Sequence, residues 1–325
     1  MVQEIVVKRS LPVNLKKGDE ELFSNSLEAT FYVLPLQILE NAAIFQDTVF
    51  STKDFKFFTE YTHTSGLSTL PIAKRIAHCS IKKWRKVDSA IWIKDEWSAN
   101  YFHWMTDCLP RIWEGLKQGQ TNRILLMDSF KHLPFVTQSL KIIGVEPIYY
   151  KSNENVLVKN LVLTSRTASF PNFNVPLTRL TREKLRPKPK GEANRKIYIS
   201  RKFAPKRKSH NVNDVEMLVR KYGFEVIYAE KLTFKKQLEL MSETKVLAGL
   251  HGAALTNMLF LPDHASVIEL RNKQDSITQC YFNLASALEL PYYYTLNEGD
   301  SKNTIVTDFT VDLEALEEVL KTFED

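Results

Sequence analysis

A histidine set among small residues stands out in VLAGLHGAALTNMLFLP, the stretch that covers residues 246–262. His251 follows an apolar, strand-like run that ends at Gly249. Two small residues, Gly252 and Ala253, come directly after it. Glycine lets the backbone turn sharply and approach a ligand closely, because it carries no Cβ. A helix that opens after such a turn also presents unpaired N–H groups, which attract an anion. The pattern therefore predicts that His251 binds a phosphate oxygen.

A purely structural interpretation of the same stretch stays open. In that interpretation the imidazole of His251 is buried and bonded to a backbone carbonyl, and the glycines serve only a tight turn. The two interpretations differ in where the ring points, because only a phosphate ligand requires it to face an opening in the protein.

Three further residues follow predicted strands and extend the anion site. Glu269 ends the strand-like run SVIEL, where an acidic residue often binds ribose hydroxyls. Arg201 directly follows the run KIYIS, and Arg207 lies in the loop after it. The planar guanidinium group suits diphosphate oxygens. A solvated carboxylate and solvated loop cations are the alternatives. Together these residues predict a nucleotide-diphosphate pocket.

A second candidate site lies in SANYFHWMTDCLPRIWEG, which covers residues 98–115. On a helix, His103 and Asp107 are one turn apart on a face shared with Asn100 and Arg111. An aspartate in this position orients the imidazole, so either member of the pair is a candidate for proton transfer. The alternative is an ordinary solvated pair. Two ligands with no third at recognisable spacing do not predict a metal site.

Local signals also predict how this helix begins and bends. Ser98 is a suitable N-cap for it. Pro110 lacks an N–H group and removes one helical hydrogen bond, so we expect a kink just after Asp107.

Alternating strands and helices must position these residues. After residue 195, short apolar runs alternate with segments of helical spacing, which predicts βαβ units and a parallel sheet. In this series a helix follows Thr233, another covers ALTNMLFL, and a third begins near Ser276. The first half resembles this pattern less regularly, with strands at SAIWI, RILLM, PIYY and LVLTS. The fold class is α/β, with an expected boundary in the proline-rich, charged stretch around Pro189.

Three segments follow from this pattern. Residues 1–188 form an acceptor-side α/β domain, residues 189–300 a nucleotide-binding Rossmann-like domain, and residues 301–325 a helix that packs back on them.

Composition narrows the class of protein. Of the 325 residues, 44% are hydrophobic and 25% are charged, which is typical of a globular chain, and no apolar run approaches the length of a membrane span. The 3 cysteines are few, distant and odd in number, which favours a reducing, cytoplasmic setting. The net charge of +6 is concentrated between residues 179 and 208, where 13 Lys and Arg face 2 acids. Such a patch binds an anion or is a solvated linker.

The two candidate sites together resemble the family-61 glycosyltransferases, which include plant xylosyltransferases, protein O-linked N-acetylglucosaminyltransferases and bacterial polysaccharide-assembly enzymes. The resemblance covers about residues 85–295 and is carried by YFHWMTDCLPRIW, ISRKFAPKRKSHN and GLHGAALTNMLFLPDHASVIEL. Ala254 stands where many members have glycine. The family implies a GT-B fold, in which two Rossmann-like domains face each other across a cleft.

The resemblance also implies a reaction: inverting sugar transfer without an obligatory metal or other cofactor. The donor is a nucleotide-diphosphate sugar, expected to be a UDP-sugar. Matched positions place His103 and Asp107 in the cleft as catalytic residues, and Asp107, with His103 nearby, is our candidate for the base that deprotonates the acceptor. The same matching places a second group in the donor site: Arg201, Arg207, His251, Gly252, Ala253, Asn257 and Glu269. We expect a bacterial, cytoplasmic enzyme of surface polysaccharide synthesis, with a glycan or lipid-linked oligosaccharide acceptor and peripheral contact with the inner membrane.

Two rival functions remain at this point. A nucleotide-sugar-modifying or NAD-dependent oxidoreductase shares the fold class, but no GxGxxG follows any predicted strand. A nucleic-acid binder would use the basic patch, but that patch lacks interleaved aromatic residues, so no nucleic-acid partner is expected.

Overall fold

The computed structural model describes residues 2–188, 191–275, 279–303 and 306–324. The strands are β1 (Gln3–Lys8), β2 (Glu28–Val33), β3 (Gln37–Phe45), β4 (Thr48–Ser51), β5 (Lys56–Phe57), β6 (Lys83–Trp92), β7 (Arg123–Met127), β8 (Glu146–Tyr150), β9 (Glu154–Leu163), β10 (Arg195–Ile199), β11 (Glu225–Ile227), β12 (Thr244–Leu250), β13 (Ser266–Asn272), β14 (Tyr292–Gly299) and β15 (Phe309–Thr310). The α-helices are α1 (Glu20–Leu27), α2 (Thr59–Thr62), α3 (Thr69–Cys79), α4 (Tyr101–His103), α5 (Leu109–Leu116), α6 (Pro134–Ile143), α7 (Val175–Leu185), α8 (Val212–Lys221), α9 (Phe234–Ser242), α10 (Cys280–Ala287) and α11 (Leu313–Lys321). A π-helical turn covers Trp104–Cys108, and 3-10 helices cover Asp128–His132, Ala229–Lys231 and Ala253–Phe260.

The chain forms two compact units. The first holds Met1–Ile5 and Tyr32–Ser169, and the second holds Val6–Phe31 and Phe170–Asp325. Each unit has its own sheet and its own apolar core, so the mixed α/β class is confirmed.

The boundary between the two units differs from the one that we expected at residue 188, because the second unit already includes the chain from Phe170 onward. Helix α7 belongs to the second unit, because Arg182 donates hydrogen bonds to the carbonyls of Leu261 (3.2 Å) and Leu288 (3.1 Å). The expected linker residue Pro189 lies outside the described residues, as does the expected helix start at Ser276. The C-terminal helix α11 contributes apolar side chains to the core of the second unit.

The sheet of the first unit has the order β5-β4-β3-β9-β6-β7-β8. Strands β9, β6, β7 and β8 are parallel, and β3, β4 and β5 continue the sheet in antiparallel pairs. The chain leaves β6 for β7 on one side and returns to pair β9 on the other side. The carboxyl ends of β6 and β9 therefore form a topological switch point, where open α/β sheets bind ligands.

The sheet of the second unit has the order β11-β10-β12-β13-β14-β15. Its first five strands are parallel, as the alternating pattern predicts, and β15 pairs antiparallel with β14. Counted within this unit, the parallel order is 2-1-3-4-5, the flavodoxin-like form of the doubly wound sheet. Its switch point lies between the carboxyl ends of β10 and β12. Arg201 follows one of these strands, and His251 follows the other.

One helix of the second unit differs from the prediction. The predicted helix over ALTNMLFL is present, but it is a 3-10 helix, Ala253–Phe260, and not an α-helix. A 3-10 helix rises about 2.0 Å per residue, against about 1.5 Å in an α-helix, and so reaches further with the same residues. Its residues from Leu255 to Phe260 are all buried, which indicates that tertiary packing overrides the local preference.

Two features, a membrane-spanning helix and a metal-ligand cluster, are absent from the described ranges. Within them, no helix combines the length and the apolar character that crossing a membrane requires. The same residues contain no group of three or more His, Cys, Asp or Glu side chains placed to hold a metal ion.

Candidate functional site

His251, which directly follows β12, is held by the buried carboxylate of Glu269 in β13. Its Nδ1 donates to Oε1 of Glu269 over 2.5 Å, and the other carboxylate oxygen accepts from the hydroxyl of Tyr292 over 2.5 Å. Glu269 is only 1% exposed and His251 is 7% exposed. The ring of His251 also meets that of Tyr281 edge to face, 4.9 Å between centroids. A carboxylate on Nδ1 fixes the orientation of the imidazole and directs Nε2 away from it.

This geometry corrects the role that we expected for Glu269. Both carboxylate oxygens are engaged inside the protein, so Glu269 orients His251 instead of facing ribose hydroxyls. Burial alone would raise the pKa of Glu269, but His251, Arg271 and the hydrogen bond from Tyr292 outweigh it and lower that pKa. The carboxylate is therefore ionised at neutral pH, as an acceptor for two donors must be. The structural interpretation of His251 is confirmed in its burial, but the partner of Nδ1 is a carboxylate and not a backbone carbonyl.

Arg201 lies against Gly252, which joins the ends of β10 and β12 into one site. A Cβ built on Gly252 would come within 2.5 Å of Nη1 of Arg201. The guanidinium group is fixed by two loop carbonyls: Nε donates to the carbonyl of Arg207 and Nη2 to that of Lys206, both over 2.9 Å. Glycine at 252 thus leaves the space that the arginine fills.

Two arginines in this site have no close carboxylate partner among the described residues. Neither Arg201 nor Arg207 forms an ion pair with a carboxylate anywhere in the described part of the chain. Burial, together with the neighbouring charge of Arg207, lowers the pKa of Arg201 to about 10. Nε of Arg207 is buried and has no hydrogen-bond partner among the described residues. Partly buried positive charges without a partner are costly unless an anion neutralises them, so this geometry favours an anionic ligand.

The backbone at Arg207 supports the same conclusion. Its φ is 57°, in the left-handed region that non-glycine residues seldom adopt. This conformation turns the carbonyl of Arg207 toward Nε of Arg201. The strained backbone at Arg207 therefore positions the guanidinium group of Arg201.

The remaining predicted donor-site residues lie on the 3-10 helix. Ala253, its first residue, is half-buried beside Gly252. Asn257 is buried, and its Nδ2 donates to Oε1 of Gln237 in α9 over 3.0 Å. Its Nδ2 thus joins two elements of the second unit, and contact of Asn257 with the donor stays a prediction.

In the first unit, a π-helical turn places His103 and Asp107. The helix begins at Tyr101, and Asn100 caps it by accepting the backbone N–H of Phe102, so Ser98 is not the N-cap. The N–H of Leu109 bonds to the carbonyl of Trp104, five residues earlier. This wider turn ends two residues before Pro110, where we expect a kink, and it accommodates the N–H that proline lacks.

The predicted pair is formed. Nδ1 of His103 donates to Oδ2 of Asp107 over 2.7 Å, and both side chains are partly exposed. Nη1 of Arg166 lies 3.4 Å from the same carboxylate oxygen, and Nε of Arg166 donates to Oδ2 of Asp95 over 2.8 Å. Asp95 follows β6 and Arg166 follows β9, so the cluster occupies the switch point of the first sheet.

Arg111 lies beside this cluster inside the protein and is not on an exposed face of the helix. It is fully buried and donates to the side chain and carbonyl of Thr164 and to the carbonyl of Tyr61. Burial would raise the pKa of Asp95, but Arg111 and Arg166 outweigh it and lower that pKa. The predicted polar face therefore splits into an accessible half, His103 and Asp107, and a buried half.

Sequence reasoning missed Asp95, Arg166, Tyr281 and Tyr292. Asp95 and Arg166 each follow a predicted strand by a few residues, which is the same signal that identified Arg201. Tyr281 and Tyr292 carry no such signal, because aromatic residues in apolar runs are normally core.

A family profile and several curated proteins match parts of this chain. The profile of the family described as Glycosyltransferase 61 matches residues 101–268, which is 168 of the 325 residues. An EGF domain-specific O-linked N-acetylglucosamine transferase from Drosophila melanogaster is 36% identical over 103 residues, which cover 30% of this chain and 19% of the relative. The protein of the same name from Rattus norvegicus is 45% identical over 65 residues, covering 20% and 12%.

The aligned segments thus span less than a fifth of these relatives' length. The family profile, however, covers just over half of this chain, from the start of α4 to within one residue of Glu269. It includes His103, Asp107, Arg201 and His251. The chain therefore belongs to the glycosyltransferase 61 family, and so to the glycosyltransferases.

Proposed function

We propose that the second unit binds a nucleotide-diphosphate sugar, with UDP as the nucleotide, at the switch point between β10 and β12. The observation that carries this proposal is the pair of partly buried arginines beside Gly252, Arg201 and Arg207, which have no carboxylate partner among the residues that the structure describes. Diphosphate oxygens match both the charge and the forked geometry of guanidinium groups. His251, oriented by Glu269, adds a hydrogen bond from Nε2 to the same group.

Arg201 and Arg207 also stabilise the leaving group during sugar transfer. When the bond between the anomeric carbon and the diphosphate oxygen breaks, its electron pair stays on the diphosphate. Preorganised guanidinium groups stabilise that growing negative charge without reorganising. We therefore assign to Arg201 and Arg207 the electrostatic role that a divalent cation plays in metal-dependent enzymes, and no metal or other cofactor enters the proposed mechanism.

His103 and Asp107 supply the base. Asp107, which we expected to be the base, accepts from Nδ1 of His103 over 2.7 Å and lies 3.4 Å from Nη1 of Arg166, so both contacts hold it within the cluster. We assign the proton transfer to His103, with Asp107 as the residue that orients it. The acceptor hydroxyl loses its proton to His103 while its oxygen attacks the anomeric carbon opposite the leaving group, which inverts the configuration.

The family resemblance supports a GT-B arrangement, in which acceptor and donor domains share a cleft. For the acceptor we propose a glycan or lipid-linked oligosaccharide hydroxyl, as in bacterial surface polysaccharide synthesis at the cytoplasmic face of the membrane. The relatives from animals support a second candidate, because their names state transfer of O-linked N-acetylglucosamine to EGF domains. In that case the donor is UDP-N-acetylglucosamine and the acceptor is a protein hydroxyl.

A nucleotide panel tests the donor assignment and separates it from the oxidoreductase alternative. We expect UDP to raise the melting temperature, because a ligand that binds only the folded state stabilises it. GDP, CMP and NAD should have smaller effects, and hydrolysis of UDP-sugars should then identify the sugar. A shift with NAD and none with any nucleoside diphosphate would overturn the proposal.

A glycine substitution tests the geometry of the pocket. The backbone of Gly252 is extended, so alanine fits its conformation, but the added Cβ displaces the guanidinium of Arg201. We expect Gly252→Ala to weaken UDP binding in calorimetric titration about tenfold, the cost of about one charge-assisted hydrogen bond. The melting temperature should change little, because only the end of a flexible side chain must move. Gly191→Ala, with open space around it, is the control. Unchanged UDP affinity in Gly252→Ala would contradict the pocket.

A further inference from the structure

The segment that follows β11 lies beside the proposed diphosphate site. Strand β11 is the parallel neighbour of β10, and the last residues of the two strands, Ile199 and Ile227, are register partners. Neighbouring strands are about 4.8 Å apart, so the two segments leave the sheet side by side at its carboxyl edge. In doubly wound sheets that bind dinucleotides, an acidic residue that comes after the phosphate-binding turn accepts hydrogen bonds from ribose hydroxyls.

An exposed carboxylate stands in this segment. Glu230 lies in the 3-10 helix Ala229–Lys231, which begins two residues after the end of β11. Its carboxylate forms no ion pair among the residues that the structure describes. Burial, the largest influence, lowers the pKa of Arg201, while the negative charge of Glu230 acts to raise it. The carboxylate therefore lies near the guanidinium group without pairing with it, and its oxygens are open to a ligand.

The turn that carries Glu230 is fastened to α9. Nε2 of Gln237 donates to the carbonyl of Ala229 over 3.0 Å and to that of Leu232 over 3.3 Å. Oε1 of the same glutamine accepts from Nδ2 of Asn257 over 3.0 Å. The backbone on both sides of Glu230 is thus held in place, which keeps its side chain at the edge of the site.

An exposed aromatic ring lies against the same turn. Phe203, two residues after Arg201, is 50% exposed. Its ring meets that of Tyr228 edge to face, with 4.8 Å between centroids, and Nζ of Lys231 lies 3.7 Å from its centroid. Tyr228 is fixed in turn, because its hydroxyl lies 3.2 Å from both carboxylate oxygens of the buried Glu216. The loop that carries Arg201 therefore also holds an aromatic ring in solvent.

These side chains supply a partner for each part of a nucleoside diphosphate. The guanidinium groups of Arg201 and Arg207 match the diphosphate. A carboxylate only accepts hydrogen bonds, so Glu230 suits the vicinal hydroxyls of a ribose and repels a phosphate. The ring of Phe203 offers a nucleobase a surface for stacking.

We propose that Glu230 and Phe203 form the nucleoside subsite of the donor pocket, with Glu230 accepting hydrogen bonds from the ribose hydroxyls and Phe203 stacking on the base. This inference rests on the proposed function, because it requires a nucleoside diphosphate at the switch point between β10 and β12. It transfers to Glu230 the ribose contact that we expected of Glu269.

Calorimetric titration with UDP, 2′,3′-dideoxy-UDP and inorganic pyrophosphate tests the ribose contact. We expect Glu230→Ala to lose about tenfold in UDP affinity, the effect of about one charge-assisted hydrogen bond. Its affinity for dideoxy-UDP and for pyrophosphate should equal or exceed that of the parent chain, because neither ligand has the hydroxyls and a repelling charge is gone. Glu314→Ala, at an exposed position of α11, is the control and should bind all three ligands like the parent chain.

The same titrations test the base contact. Phe203→Ala should lose about tenfold in affinity for UDP and for dideoxy-UDP and nothing for pyrophosphate, because stacking involves only the base. Phe203→Tyr keeps an aromatic ring and should recover most of the loss. Met217→Ala removes an exposed apolar side chain of α8 and serves as the control.

The outcomes separate this subsite from the donor assignment. A parent chain that binds neither UDP nor pyrophosphate would overturn both proposals. If the parent chain binds UDP and Arg201→Ala weakens it, the donor assignment stands. Equal losses for UDP and dideoxy-UDP in Glu230→Ala, or parental UDP affinity in that variant or in Phe203→Ala, would then overturn the nucleoside subsite alone.

Discussion

Replacing Arg201 with alanine is expected to lower the rate of sugar transfer by about 10²–10³-fold, the usual effect of removing one preorganised donor to a developing anion. The guanidinium is held by two loop carbonyls beside Gly252 and faces no carboxylate among the described residues. Its charge is therefore available to the leaving diphosphate. UDP binding should weaken as well, because the ground-state diphosphate already carries charge. Steady-state kinetics and calorimetric titration of the same preparation measure both effects.

Lys202→Ala is the matched control for Arg201. It removes a neighbouring cation of the same loop whose ammonium group donates to Asn213 and not to the site. We expect near-parental turnover in that variant. Arg201→Lys should recover little, because an ammonium group cannot reproduce the planar fork. Parental turnover and UDP affinity in Arg201→Ala would remove the pocket assignment.

Replacing Asp107 with asparagine is expected to reduce turnover by about 10²–10⁴-fold and to leave UDP binding unchanged. The amide no longer supplies the charged acceptor that Nδ1 of His103 contacts over 2.7 Å, so the imidazole loses its orienting partner. Folding should survive, because Arg166 keeps its bond to Asp95. His103→Ala should lose a similar factor.

The double variant distinguishes one proton-transfer unit from two independent residues. If His103 and Asp107 act together, changing both should cost no more than changing one. Glu114→Gln, at a partly exposed position of α5, serves as the control, since the bond recorded for its carboxylate among the described residues is to Lys117. Near-parental turnover in Asp107→Asn would refute the assignment of the base.

The positions of residues that directly follow a strand could be predicted from the sequence. The carboxyl ends of parallel strands lie at the same edge of a sheet, and this does not depend on how the side chains pack. Arg201 and His251 lie where the alternation of strands and helices puts them, and Thr233 caps α9 as predicted. The His103–Asp107 pair also follows from local spacing, which the π-helical turn preserves.

Roles that depend on contacts between distant segments could not be predicted. The bond from Tyr292 to Glu269 joins two neighbouring strands and decides that this carboxylate serves His251 and not a ribose. The link between Asn257 and Gln237 is likewise tertiary. The 3-10 helix at Ala253–Phe260 forms because a short buried connection must span a fixed distance, which no residue preference encodes.

A crystal structure of the chain with bound UDP shows whether the switch point of the second sheet is the donor site. We predict that the diphosphate lies between the carboxyl ends of β10 and β12, with its oxygens within hydrogen-bond distance of the Arg201 guanidinium and of Nε2 of His251. UDP bound elsewhere, with Arg201 and Arg207 contacting no part of it, would rule out this donor site.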